Sequence, residues 1–204
     1  ALKGLYQKPV ILDIINYFRL LDNYHESGAL FRVLSAPFVN VQIEDIVQIT
    51  HQAKKKTMSL WQALKQARMF GVAQETVVEI ERLVSLIEKH ASLAKNKPAS
   101  EVFLKILYDS GYLQILKNLP DPQNQEQMRL LDQFFRKIKM FELESIDKRS
   151  VGFMEMLEME IEAGDCGKLN GELDVDADAV RIMTIHSAKG LEFPVVFIAG
   201  LEEG

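Results

Sequence analysis

Cysteine is almost absent from this chain: Cys166 stands alone among 204 residues. That excludes an internal disulfide and a cysteine-rich metal site. No apolar stretch approaches the roughly 20 residues a helix needs to cross a bilayer, and no N-x-S/T sequon occurs. The opening ALKGLYQKPV lacks the pattern of a secretory signal, so the expectation is a cytoplasmic location with no membrane partner. No G-x-x-x-x-G-K-S/T string is present, and with it goes the loop that cradles ATP phosphates. GDCGKL at 164–169 has the wrong spacing, and no hydroxyl follows Lys168. His25, His51 and His90 are scattered without H-E-x-x-H spacing, so no metal site is expected. Positive charge is also scarce: 24 Lys and Arg stand against 29 Asp and Glu, a net charge of −5. A domain built only to hold nucleic acid is usually basic, because phosphate neutralisation dominates that affinity. The local clusters Lys54–Lys56 and Arg136, Lys137 and Lys139 therefore read as solvated helix faces.

Helical periodicity is what the chain has in plenty. Hydrophobic residues make up 48% and charged residues 26%, the balance of a globular protein. Residues 9–24 carry Val10, Ile11, Ile14, Phe18 and Leu21 at helical spacing, with Pro9 in the permitted first turn. A short helix is expected over 27–35, opened by Ser27 and closed before Pro37, and another over 42–54 with Ile43, Ile46, Val47 and Thr50 on one face. Ser59 and Gln62 form a capping box for LWQALKQARMF, which Gly71 ends. Longer helices follow over 74–95, 98–118 with a break near Gly111, and 122–144, then a last amphipathic one over 150–162. Trp61 reads as a core anchor. Met154, Met156 and Met159 read as adaptable core or an interface. Short connections favour antiparallel neighbours in a compact helical body.

Composition then shifts. Residues 163–179 hold three glycines and five acids, the make-up of a mobile linker. Beyond it, Val180, Ile182, Thr184 and Ile185 suit a strand, and Val195–Ile198 a second, buried one. The fold expected is mainly α, with a small α/β piece at the C-terminal end. Two strands alone are marginal, so the sheet they would join is expected to be incomplete.

The loop between those strands holds Thr184, His186, Lys189, Gly190 and Glu192. Polar groups at the carboxyl end of a strand lie where α/β sheets bind ligands. Gly190 permits a positive-φ turn or close approach to a phosphate. Glu192 could accept hydrogen bonds from a sugar hydroxyl. Residue types alone leave a ligand-free crossover loop equally open.

The wider string TIHSAKGLEFPVVFIAGLEEG, 184–204, closely resembles motif V of the UvrD/Rep/PcrA-type superfamily 1 DNA helicases. GLYQKPVILDIINYFRLL resembles the segment after motif IV, and RVLSAPFVNVQIEDIVQI and LWQAL resemble the start of the helical 2B subdomain. The resemblance covers essentially the whole chain. It implies an end of the 2A domain with a lead-in helix at 1–25, a helical 2B-like subdomain at 26–162, a linker at 163–179, and a partial RecA-like 2A segment with motif V at 180–204. It further implies that Thr184 and His186 face single-stranded DNA, where each can donate to a phosphate oxygen without reading sequence. Gly190 and Glu192 would lie near the nucleotide, with Glu192 on the ribose, and Lys189 would support the loop.

Two departures stand out. The family often places a Gly-Ile-Gly turn against duplex phosphates, whereas this chain has APFVNVQIE at 36–44, in which only Asn40 tolerates a left-handed turn. The acid of the family's EIKD phrase aligns near Val10, so that polar contact is expected to be absent. In VVFIAGLEEG the acids follow Gly-Leu rather than the apolar run, which argues against a Walker B magnesium site, and the arginine-bearing motif VI would follow Gly204. The chain is thus expected to be a fragment with no catalytic residue of its own. Its parent would use ATP and Mg2+ on single-stranded and duplex DNA, with possible protein partners through the helical subdomain. Two alternatives are the helicase chain of an AddA/RecB-type recombination nuclease, against which the terminal GLEEG weighs, and a non-catalytic helical interaction module.

Overall fold

A computed structural model describes residues 4–167, 169, 184, 188 and 193–198. The chain divides into two compact units, Ala1–Asn170 and Gly171–Gly204. Among the described residues there are nine α-helices and no strand, so the fold is mainly α.

The first unit is built around α1 (Pro9–Asp22), which begins with Pro9 in its first turn. Its buried residues run round the helix: Val10, Ile11, Asp13, Ile14, Ile15, Tyr17, Phe18 and Leu20. A helix apolar on most sides must be covered on most sides. α2 (Ser27–Leu34), α5 (Gln74–Ala94), α8 (Asp121–Glu144) and α9 (Ser150–Glu162) all pack on it. Phe153 of α9 is fully buried. The rings of Phe18, Phe134 and Phe141 surround it at centroid distances of 6.1, 5.7 and 5.6 Å.

The remaining helices follow local signals. α3 (Ile43–Lys55) buries Ile46, Ile49 and Ala53, while Ile43 and Val47 are 52% and 58% exposed. The expected apolar face is therefore turned: α3 meets α4 (Leu60–Lys65) and the 3-10 turn Ala67–Phe70 through positions 46, 49 and 53. The capping box opens α4 as expected, Gln62 N–H donating to Ser59 Oγ at 3.2 Å and Ser59 N–H to Gln62 Oε1 at 3.0 Å. The single helix expected after it is split in two, and Gly71, at φ 69°, ends the 3-10 turn. Ser27 does not cap α2; Glu26 occupies that position, without a side-chain bond. α6 (Ala99–Asp109) and α7 (Tyr112–Lys117) are separated at Gly111, whose φ is 78°.

The chain enters and leaves this helical body side by side. Leu5 and Tyr6 N–H donate to the carbonyls of Gly167 and Cys166 at 3.1 and 3.0 Å. A Cβ on Gly4 would collide with the Cys166 carbonyl oxygen, and one on Gly167 would stand 2.9 Å from the Tyr6 ring. Residues 163–167, the start of the stretch expected to be a linker, are thus tied to the N-terminal segment. Residues 170–179 lie outside the described residues.

In the second unit, Val195–Ile198 are exposed and pair with no other strand among the described residues. The α/β piece expected there is not present among them. Apolar, β-branched residues favour a strand only where a neighbouring strand takes up their backbone N–H and C=O groups.

Candidate nucleic-acid and nucleotide interface

Of the candidate DNA- and nucleotide-binding residues, Thr184 alone is described. It is exposed, and its carbonyl accepts the Ala188 N–H at 3.0 Å. His186, Gly190 and Glu192 lie outside the described residues, so their grouping with Thr184 stays an expectation.

The helical body can be built in detail. The loop joining α2 to α3, where the family turn would lie, is closed by α5. Asn40 N–H donates to Glu79 Oε1 at 3.2 Å, and Arg82 Nη2 donates to the Phe38 carbonyl at 3.0 Å. Arg82 also forks onto Glu79 at 2.6 and 2.8 Å. Burial would raise the Glu79 carboxyl, but the bonds from Arg82 and Asn40 outweigh it and hold it below the ordinary range. Glu44 and Asp45 follow in the first turn of α3. The loop therefore offers a phosphate an occupied N–H and nearby negative charge.

Basic residues differ in how far they are neutralised. Arg136, Lys137 and Lys139 are each paired, with Asp132 at 2.8 Å, Glu160 at 2.8 Å and Glu142 at 2.7 Å. Arg136 and Lys139 are exposed, as a solvated helix face requires, whereas Lys137 is half-buried. Lys54 and Lys55 end α3, where positive charge complements the helix dipole. Lys56 lies 4.8 Å over the Phe70 ring.

Three buried polar networks are not apparent from residue types alone. Asp13 accepts from Arg32 Nε at 2.6 Å and from the Tyr112 hydroxyl at 2.9 Å. Burial pushes its carboxyl up, and Arg32 and Tyr112 oppose that. Its position in the apolar run VILDII was the available signal, since an acid there must be partnered. His90 lies between Tyr17 and Asp109, its Nδ1 2.9 Å from the Tyr17 hydroxyl and its Nε2 3.3 Å from Asp109 Oδ2. Glu142 accepts the Ser100 N–H at 2.7 Å and its hydroxyl at 3.0 Å, at the start of α6. All three hold helices together rather than present reactive groups.

Clefts indent the body. One of about 420 Å3 lies between α1, α5 and α9; its lining mixes Arg19, Lys95 and Arg149 with Asp22, Glu26, Glu155 and Glu158. Another of about 310 Å3 lies between α5 and α6. Among the described residues no cluster of His, Cys, Asp or Glu could hold a metal ion, and no helix is long and apolar enough to cross a membrane.

Comparison with known proteins gives the wider setting. The UvrD-like helicase C-terminal domain family matches residues 3–204. The ATP-dependent DNA helicase PcrA of Bacillus subtilis (strain 168) is 30% identical over 201 residues, 98% of this chain and 27% of that protein. DNA helicase II of Escherichia coli (strain K12) is 27% identical over 201 residues, again 98% and 27%. An ATP-dependent helicase/nuclease subunit of Bacillus cereus (strain G9842) is 29% identical over 200 residues, 97% of this chain and 16% of that protein. The chain thus spans 27% or less of the length of these relatives.

Proposed function

The chain belongs to the UvrD-like helicase C-terminal domain family, and from that membership we propose that it is the 2B subdomain and motif V segment of an ATP-dependent DNA helicase acting in the cytoplasm. The observation that carries the reading is the family match over residues 3–204, which takes in both the helical body and the string TIHSAKGLEF. In this reading Thr184 and His186 donate to phosphates of single-stranded DNA, and Gly190 and Glu192 border the nucleotide, with Glu192 on the ribose. The partial RecA-like segment at 180–204 gains its sheet from the rest of the 2A domain. ATP and Mg2+ serve the whole protein; phosphoryl transfer needs a P-loop lysine, a magnesium ligand and an arginine clamp in one cleft. The chain's sequence contains none of those motifs. Its own share is to hold DNA and couple that contact to the nucleotide, while the helical body serves regulation and protein contacts.

A second reading, the helicase part of a helicase/nuclease, is favoured by the 29% identity to the Bacillus cereus protein. A nuclease segment in the same polypeptide would select it.

His186→Ala tests the first reading, in a protein that carries this chain together with a P-loop ATPase domain. Removing one phosphate interaction should weaken DNA binding by about 0.5–1.5 kcal/mol, and DNA should stimulate ATP turnover less. Unchanged affinity together with unchanged stimulation would refute the assignment.

A further inference from the structure

The roles assigned so far leave unused the cleft of about 310 Å3 between α5 and α6, which is lined in part by Lys89, Lys97, Lys105, His90, Asn96 and Asp109. Its lysines converge from α5, from the turn after it and from α6, and Asp109 is the only carboxylate in the lining. Lys89 pairs with Asp109 at 2.7 Å, and Lys97 pairs with Glu101, outside the lining, at 3.0 Å. Lys105 is exposed and has no ion-pair partner among the described residues. His90 is fully buried with both ring nitrogens engaged; it anchors the cleft wall and is not itself a ligand.

The other basic surfaces of the body are less suited to a polyanion. Arg136, Lys137 and Lys139 all lie along α8, and none of the three is left without a carboxylate partner, whereas Lys105 of the cleft is. The α2–α3 loop has its Asn40 N–H on Glu79. Lys54 and Lys55 lie along the end of a single helix, where the carbonyl dipole accounts for them. The cleft between α1, α5 and α9 sets Arg19, Lys95 and Arg149 against Asp22, Glu26, Glu155 and Glu158, whereas in the α5–α6 cleft three lysines from separate elements face a common space with Asp109 as the lining carboxylate and the Asn96 amide as a further donor. In a chain of net charge −5, a local concave positive field decides where a polyanion can approach.

We propose that this cleft takes the phosphodiester backbone of DNA, with Lys97 and Lys105 as its direct phosphate partners. The identity of the polyanion rests on the helicase reading; the cleft rests on its own geometry.

Fluorescence anisotropy of the 204-residue chain with a labelled duplex of about 20 base pairs, titrated upward from about 50 mM salt, tests it. The double variant K97E/K105E should bind about tenfold more weakly, and the log–log salt slope should shrink by about 0.9 for each phosphate no longer neutralised. Glu101→Gln, which frees Lys97 from a solvent-exposed pair, should tighten binding, a gain that misfolding cannot produce. Equal affinity of the wild type and K97E/K105E would overturn the proposal. So would a loss confined to K54E/K55E, which would place the binding surface at the end of α3 and leave the helicase reading intact. A wild-type chain that binds no duplex at low salt would overturn it as well, while the helicase reading would still be decided by the separate His186→Ala experiment.

Discussion

His90 shows how one buried side chain sets a pH limit. Tyr17 faces it from α1, Asp109 and Lys105 from α6, and Lys89 from its own helix. Burial is the largest influence and holds the ring below its ordinary value of 6.5, against the opposing pull of Asp109. Between the folded and unfolded values the unfolded chain binds a proton that the folded chain does not. Stability therefore rises with pH in that window and falls as the solution is acidified below about 6.5. Asp109, kept below the ordinary carboxylate range first by Lys89, stays charged throughout the window. Urea unfolding at a series of pH values between about 7.5 and 5.5 should show this decline, and His90→Gln should flatten it. An equally steep decline in that variant would locate the proton uptake elsewhere. Asp13 teaches the complementary lesson about legibility. The sequence shows an acid inside an apolar run, but not that Arg32 and Tyr112 would meet it, because those partners lie 19 and 99 residues away.

Helices were the most legible elements, because period, caps and breakers act within a few residues. The Ser59–Gln62 box and the break at Gly111 are read directly from residue types. Ser59→Ala should cost about 1 kcal/mol, seen as a lower urea midpoint with an unchanged slope; no shift would mean the box is energetically idle. The face that α3 buries was less legible. Ile43 and Val47 fit the same period as Ile46 and Ile49, and only the neighbouring elements decide which stripe turns inward. The strand expected at 195–198 marks the same limit more sharply, since a ladder needs a partner that local sequence does not supply. Where α1, α8 and α9 converge, Phe153 fills the space between three rings. Phe153→Ala should destabilise the body by about 3–5 kcal/mol, measurable by thermal unfolding; a loss below about 1 kcal/mol would show that the surrounding rings collapse into the space.

For the molecule as a whole, the expectation is binding without turnover. The 204-residue chain should hydrolyse no ATP with or without DNA, because its sequence carries no P-loop. Whatever DNA it binds should dissociate steeply with added salt. Turnover that survives repeated purification would reveal a nucleotide site made from other residues. The candidate DNA and nucleotide residues come from the resemblance that the string TIHSAKGLEF carries, and of them Thr184 alone lies among the described residues. The α5–α6 cleft was not legible in the sequence, since Lys89, Lys97 and Lys105 look like ordinary surface charges until two helices set them around one space.

The pairing of Leu5 and Tyr6 with Gly167 and Cys166 has a topological meaning. More than 150 residues leave and return to nearly the same point in space, so the helical body is a cassette whose two ends already meet. A tight turn linking residue 4 to residue 167 could close the gap it leaves, and the same cassette could be set into an exposed loop of an unrelated host with little strain on either fold. The glycines at the crossing are what keep those ends together: Gly4→Ala would drive a methyl group into the Cys166 carbonyl and force the doorway of the cassette apart.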